Sequence, residues 1–229
     1  MKFLIVPGNN SLSHVAKCLA LQESLRARGH DTLVAVSARN SAFLDRLGIP
    51  HEVLPDIQEN DGSALPTVEW FRNSAGIERC IRAEMELIAR YAPDRVIGVF
   101  RFTLKAASAA LGVPFDSLAC GCMIPGTTEV LGFGPGEPGR EAQRIILDGF
   151  YRYGALRTGE VLGRMGLPEV SDIREMLVGE HTFLWDMPGF HMTEPMEGVM
   201  HIGPIAWDRW PYEPMDIDAI LKRGKRVAA

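Results

Sequence analysis

The sequence has no apolar run long enough to cross a membrane. Its first apolar stretch, FLIV, ends at once in Pro7 and Gly8, and it is too short for a membrane span or for the hydrophobic region of a signal peptide. We therefore expect a buried strand here, no membrane span and a cytoplasmic location.

Positive charge is also scarce. The chain has 24 Lys and Arg residues against 29 Asp and Glu, and its formal net charge is -5. Nucleic acids and anionic membranes bind clustered positive charge, and RGKR near the C-terminus is the only tight basic run. The composition argues against a general nucleic-acid partner.

Cysteines are few, and none of them forms a CxxC pair. The four are Cys18, Cys80, Cys120 and Cys122. Zinc frameworks normally need two matching pairs at characteristic spacing, and Cys120-Gly-Cys122 would supply only half of one. We predict reduced thiols and no bound metal.

The loops that cradle phosphate groups are missing as well. The first strand leads into PGNNSLSH (residues 7–14), which contains neither G-x-G-x-x-G nor G-x-x-x-x-G-K-[ST]. No acidic residue follows the second strand, TLVAV, to hold a ribose. The sequence therefore disfavours a nucleotide-dependent oxidoreductase, and we predict no cofactor.

What the sequence does contain is a regular alternation of apolar runs and helical segments. The runs predicted as strands are KFLIV, TLVAV, HEVLP, DRVIGVF, VPFDSLACG, HTFLWD and VMHIG. This alternation is typical of an α/β fold, and it predicts a Rossmann-like, doubly wound parallel sheet of about seven strands in one domain, residues 1–215. Residues 216–229 resemble a linker and the start of a second domain, absent from this sequence.

The first helix carries a family pattern. His14-Val15, Leu19, Leu21, Leu25 and Gly29-His30 match H-V-x-x-x-L-x-L-x-x-x-L-x-x-x-G-H at every position. This resembles the N-terminal helix of the GT-B glycosyltransferases related to UDP-glycosyltransferases and macrolide glycosyltransferases. LDRLGIPHEVLP, APDRVIGVFRFTLKAASAALGVPF and HTFLWDMPGF extend the resemblance over nearly the whole chain.

The resemblance implies the acceptor-binding half of an inverting glycosyltransferase. Such an enzyme moves a sugar from a nucleotide-activated donor, a UDP- or dTDP-sugar, to a hydroxyl of a small apolar acceptor. The donor is held by the C-terminal domain or a partner chain, so this chain alone is expected to be inactive.

The resemblance also implies a site. His14 is the expected catalytic base, because a neutral imidazole near a helix N-terminus can accept the proton of an attacking hydroxyl. We expect it to be solvent-accessible, close to Arg101 and to the loop that carries Met123 and Phe133. The residues predicted to bind the acceptor are Asn10, Ser13, Trp70, Phe100, Arg101, Met123 and Phe133.

Three positions depart from the family pattern. Ser13 and Lys17 replace the usual glycine and proline beside the histidine, and Val99 stands where the family has the aspartate that holds it. Asp116 in the fifth strand is a possible substitute for that aspartate. The alternative function is therefore a non-catalytic binding or partner protein with the same fold.

Overall fold

The computed structural model describes residues 1–8, 11–57, 68–127, 130, 132–190 and 193–209. Its strands form one seven-stranded sheet in the order β3-β2-β1-β4-β5-β6-β7, and all six neighbouring pairs are parallel. The strands are β1 (Lys2–Pro7), β2 (Asp31–Val36), β3 (His51–Val53), β4 (Arg95–Val99), β5 (Phe115–Ala119), β6 (Thr182–Leu184) and β7 (Val199–His201). The predicted fold is confirmed. Residues 216–229 lie outside the described part of the chain.

Six α-helices lie in the described residues. They are α1 (Leu12–Ala27), α2 (Ala38–Arg46), α3 (Val68–Arg72), α4 (Ser74–Tyr91), α5 (Leu104–Ala110) and α6 (Arg140–Arg164). α3 and α4 are separate helices because the Asn73 side chain accepts a hydrogen bond from the Gly76 amide and begins α4 as its N-cap. None of these helices is long and apolar enough to span a membrane.

The sheet is covered on both faces. Leu4 and Val6 of β1 pack in the core that contains residues of α3, α4, α5 and α6, whereas Phe3 and Ile5 pack in the core that contains residues of α1 and α2. A parallel sheet with both faces buried requires apolar side chains at successive positions. This explains why the strands read as continuous apolar runs rather than as alternating ones.

Gly149 lies exposed in the middle of α6, where an added Cβ would meet nothing within 4 Å. Gly149→Ala is expected to raise the free energy of unfolding by about 0.5–1 kcal/mol, because alanine loses less backbone entropy on entering a helix. Urea unfolding measures this change. Gly154→Ala in the same helix is the matched control, since its Cβ would lie 3.1 Å from Ile173 and should remove the gain. Equal effects of the two substitutions on the free energy of unfolding would contradict the interpretation that open space around Gly149 allows the gain.

Candidate functional site

The carboxyl ends of β1 and β4 lie at the switch point of the sheet, and we call this place, together with the start of α1, the crevice. From β1 the chain proceeds through β2 and β3 to one edge of the sheet, whereas β4 to β7 extend to the other. Ligands of open α/β sheets bind at such a switch point, where the connections leave in opposite directions. Pro7 of β1 pairs with Val99 of β4 at this edge, and α1 begins nearby at Leu12.

His14 lies in the first turn of α1, at this crevice. Its Nδ1 is 3.3 Å from the Gly8 carbonyl oxygen, and its ring centroid is 5.0 Å from that of Phe100 and 5.8 Å from that of Trp185. Only 7% of the residue is exposed, so the expectation of a solvent-accessible His14 is wrong. With Nδ1–H donated to Gly8, the lone pair of Nε2 is left to accept a proton.

Burial keeps the His14 imidazole neutral. Loss of solvation, followed by the positive charge of Lys17, lowers its pKa to about 4, and the contact with Gly8 offsets only part of this change. The sequence analysis predicted a neutral imidazole, but it gave the helix N-terminus as the only cause. The main cause is instead the aromatic covering of the ring.

Among the described residues, no carboxylate is hydrogen-bonded to His14 in place of the family's aspartate. Val99 is fully buried and packs with Val15 and Leu118. Asp116, suggested as a substitute, is held elsewhere: its Oδ1 lies 2.7 Å from Arg95 Nη1 and 3.0 Å from His181 Nδ1. The hypothesis that Asp116 replaces the family's aspartate is therefore wrong. Asp116 pairs with Ile97, two residues before the carboxyl end of β4.

Lys17, Trp185 and Asp186 complete the crevice. The Lys17 ammonium lies 4.6 Å from the centre of a Trp185 ring. Asp186 accepts hydrogen bonds from the Gly121 amide and from Cys120 Sγ, the latter at 3.4 Å. Sequence reasoning missed Trp185 and Asp186, although their position at the end of the predicted strand HTFLWD was a signal, since β6 also ends at this edge of the sheet.

The cysteines are free thiols, with Cys120 Sγ 3.2 Å from Cys122 Sγ. One group of potential metal ligands occurs among the described residues, namely Asp116, Glu180 and His181. It lies at the opposite edge of the sheet, where Arg95 Nη1 is 2.7 Å from Asp116 and 3.2 Å from Glu180. The Arg95 guanidinium pairs with both carboxylates, so the group is accounted for as an ion-pair cluster.

Arg101 does not reach the crevice. Its Nε donates to Glu84 Oε1 and its Nη1 to Asp56 Oδ2, both at 2.6 Å, and its side chain is 4% exposed. The guanidinium is thus already paired with two carboxylates inside the protein, so the structure gives no support to the prediction that Arg101 binds the acceptor. Phe100, the residue before it, has a φ of 55°, a left-handed conformation that costs free energy outside glycine, and its ring lies against His14.

The other predicted acceptor residues are scattered. Trp70 is 1% exposed and packs against Phe102, so it belongs to the core rather than to a cleft. Met123 is also buried, with its sulfur 4.0 Å from the Tyr151 hydroxyl, and Phe133 is half-buried near Gly139.

Ser13 is exposed at the start of α1, with its hydroxyl 2.8 Å from that of Ser11. Asn10 lies outside the described residues. Of the eight residues predicted for the site, the structure thus brings together His14, Phe100 and, at the helix start, Ser13. Their roles in binding or catalysis stay predictions.

The chain is similar in sequence to curated glycosyltransferases. A PGL/p-HBAD biosynthesis rhamnosyltransferase of Mycobacterium bovis (strain BCG / Pasteur 1173P2) is 24% identical over 118 residues, covering 52% of this chain and 26% of the relative. An inactive PGL/p-HBAD biosynthesis glycosyltransferase of the same strain is 24% identical over 119 residues, covering 52% of this chain and 32% of the relative. No family model matches the sequence.

Among solved structures, the Streptomyces sp. SF2575 glycosyltransferase SsfS6, complexed with thymidine diphosphate, superimposes with a TM-score of 0.54. It is 18% identical and covers 94% of this chain and 58% of its own. The chain has the fold of a GT-B glycosyltransferase domain. The matched region covers 58% of the length of SsfS6 and about a third or less of the length of the curated relatives.

Proposed function

We propose that this chain is the acceptor-binding half of an inverting, nucleotide-sugar-dependent glycosyltransferase. The observation that carries the proposal is His14 at the switch point, with Nδ1 directed at the Gly8 carbonyl and the Nε2 lone pair available. In the reaction the acceptor oxygen bonds to the anomeric carbon, the bond from that carbon to the diphosphate breaks with its electrons leaving on the diphosphate, and the hydroxyl proton passes to Nε2.

The donor in this proposal is a UDP- or dTDP-sugar. SsfS6 was solved with thymidine diphosphate, which supports a nucleoside-diphosphate leaving group. The β1–α1 turn of this chain lacks a phosphate-binding glycine motif, so the donor is held by a C-terminal domain or a partner chain, and this chain alone is inactive.

Three observations favour the alternative of a non-catalytic binding or partner protein. Val99 removes the carboxylate that would stabilise the imidazolium during transfer, and a pKa of about 4 makes His14 a weak base near pH 7. One of the relatives is itself an inactive glycosyltransferase. The acceptor crevice is common to both functions, so only a transfer assay separates them.

The test joins this chain to the donor-binding domain of a glycosyltransferase of the same fold and measures sugar transfer to a panel of small apolar acceptors that carry a hydroxyl. We expect transfer, and we expect His14→Ala to lower turnover by about 10²-fold, as for loss of a positioned base. His30→Ala, at the other end of α1, is the matched control and should leave turnover unchanged. A folded fusion that transfers no sugar would favour the non-catalytic alternative, and unimpaired turnover in His14→Ala would exclude His14 as the base.

A further inference from the structure

A groove runs along α5, on the face of the sheet opposite to α1. It consists of two cavities of about 200 and 390 Å³, and Lys105 and Ala109 line both of them. The apolar side chains that line the groove include those of Leu162, Leu167, Val170, Met176, Phe115 and Val178. Since a dry apolar cavity of about 150 Å³ admits benzene, the smaller cavity alone has room for a short alkyl chain.

Lys105 places an ammonium group between the two cavities. Its side chain is half-buried, and its Nζ donates to the Glu175 carbonyl oxygen at 2.8 Å. None of the ion pairs among the described residues includes it. An ammonium has three N–H donors, so two of them remain for solvent or for a ligand.

The acidic side chains beside the groove are committed elsewhere or exposed. The Glu175 carboxylate accepts hydrogen bonds from two backbone amides and a serine hydroxyl at the start of its own short helix. Its charge raises the pKa of Lys105, but by less than loss of solvation lowers it. Glu180 lies 3.2 Å from Arg95 Nη1, and Glu169 is exposed to solvent. The half-buried charge of Lys105 is therefore the one in the groove that a ligand can pair with.

We propose that this groove binds an unbranched monocarboxylate, with its carboxylate on Lys105 and its alkyl tail over Leu162 and Met176. The apolar lining requires an apolar tail, and the ammonium selects a negatively charged head. Among the described lining residues Lys105 is the only cation, so a second carboxylate on the ligand would find no partner. The site is separate from the crevice at His14 and does not depend on whether the chain takes part in sugar transfer.

The probes are octanoate and octanamide, which differ only in the carboxylate. By calorimetry the 229-residue chain should bind the acid about 10-fold more tightly than the amide, as expected for one charge-assisted hydrogen bond. Lys105→Gln should abolish this preference. Lys2→Gln is the matched control and should keep it, because Lys2 also donates to a main-chain carbonyl, that of Tyr91 at 2.6 Å, but lies outside the groove.

A second variant tests the place of binding. Ala109 is exposed and lines both cavities, so Ala109→Leu should fill the groove without disturbing the core and weaken binding of both probes by about 10-fold. Ala142→Leu, at an exposed position of α6 outside the groove, should leave both affinities unchanged. Equal affinity for the two probes, no binding of either, or an unchanged preference in Lys105→Gln would overturn the proposal. Undiminished binding to Ala109→Leu would also overturn it, because the ligand would then lie elsewhere.

Discussion

Arg101→Met is expected to lower the free energy of unfolding by about 3–5 kcal/mol. Arg101 holds Glu84 and Asp56 at 2.6 Å each, and both carboxylates are buried. Methionine replaces much of the apolar side chain but leaves two buried charges without their counter-ion. Glu84 is affected most: it is 0% exposed, and its Oε2 has no hydrogen-bond partner among the described residues. Urea unfolding with far-UV circular dichroism measures the loss.

The matched control is Arg82→Met. Arg82 also pairs with a glutamate, Glu78 at 2.7 Å, but its side chain is 59% exposed, so the change should cost no more than about 0.5 kcal/mol. Adding Glu84→Gln to Arg101→Met should recover part of the loss, since a neutral amide is cheaper to bury than a carboxylate. Similar losses for Arg101→Met and Arg82→Met would show that the buried network does not stabilise the fold.

Acidification should destabilise the protein through His14. The pKa of His14 is about 4 in the folded chain and ordinarily 6.5. Between pH 4 and pH 6.5 the unfolded chain therefore binds a proton that the folded chain does not bind. Stability is therefore fully present above pH 6.5, falls as the pH drops, and stops changing through this group below pH 4. The 2.5-unit difference corresponds to about 3 kcal/mol.

His14→Asn isolates this contribution from the titration of the many carboxylates. The asparagine amide can still donate to the Gly8 carbonyl but cannot be protonated in this range. The difference in unfolding free energy between the two proteins should change by about 3 kcal/mol from pH 7 to pH 4, in favour of the variant at low pH. Parallel pH profiles would mean that His14 is solvated in solution, as the sequence first suggested.

The centre of the sheet could be predicted because β1, β2 and β4 each contain a continuous apolar run, and burial on both faces of the sheet needs no distant information. The helix that carries His14 could also be predicted, because its pattern is local to residues 14–30. The surroundings of His14 could not be predicted, because Trp185 and Asp186 directly follow β6, some 170 positions along the chain, and meet α1 only through the sheet order.

Arg101 shows the second limit. Its position after β4 suggested an exposed strand end, but the direction of its side chain is set by Glu84 on α4 and by Asp56 after β3. No local pattern encodes a partner at those separations. Phe100 shows a third limit. A left-handed φ at a non-glycine residue cannot be predicted from the sequence, because it is imposed by the residues packed around it.

The outermost strands of the sheet are short, and their length affects how readily copies of this protein associate at high concentration. β3 and β7, which close the two edges of the sheet, have three residues each, whereas β1 and β2 have six. A sheet edge can recruit another polypeptide through its unpaired N–H and C=O groups, and a short edge offers few of them. A sheet built from valine, isoleucine and leucine is thereby poorly suited to seed intermolecular strand addition and aggregation.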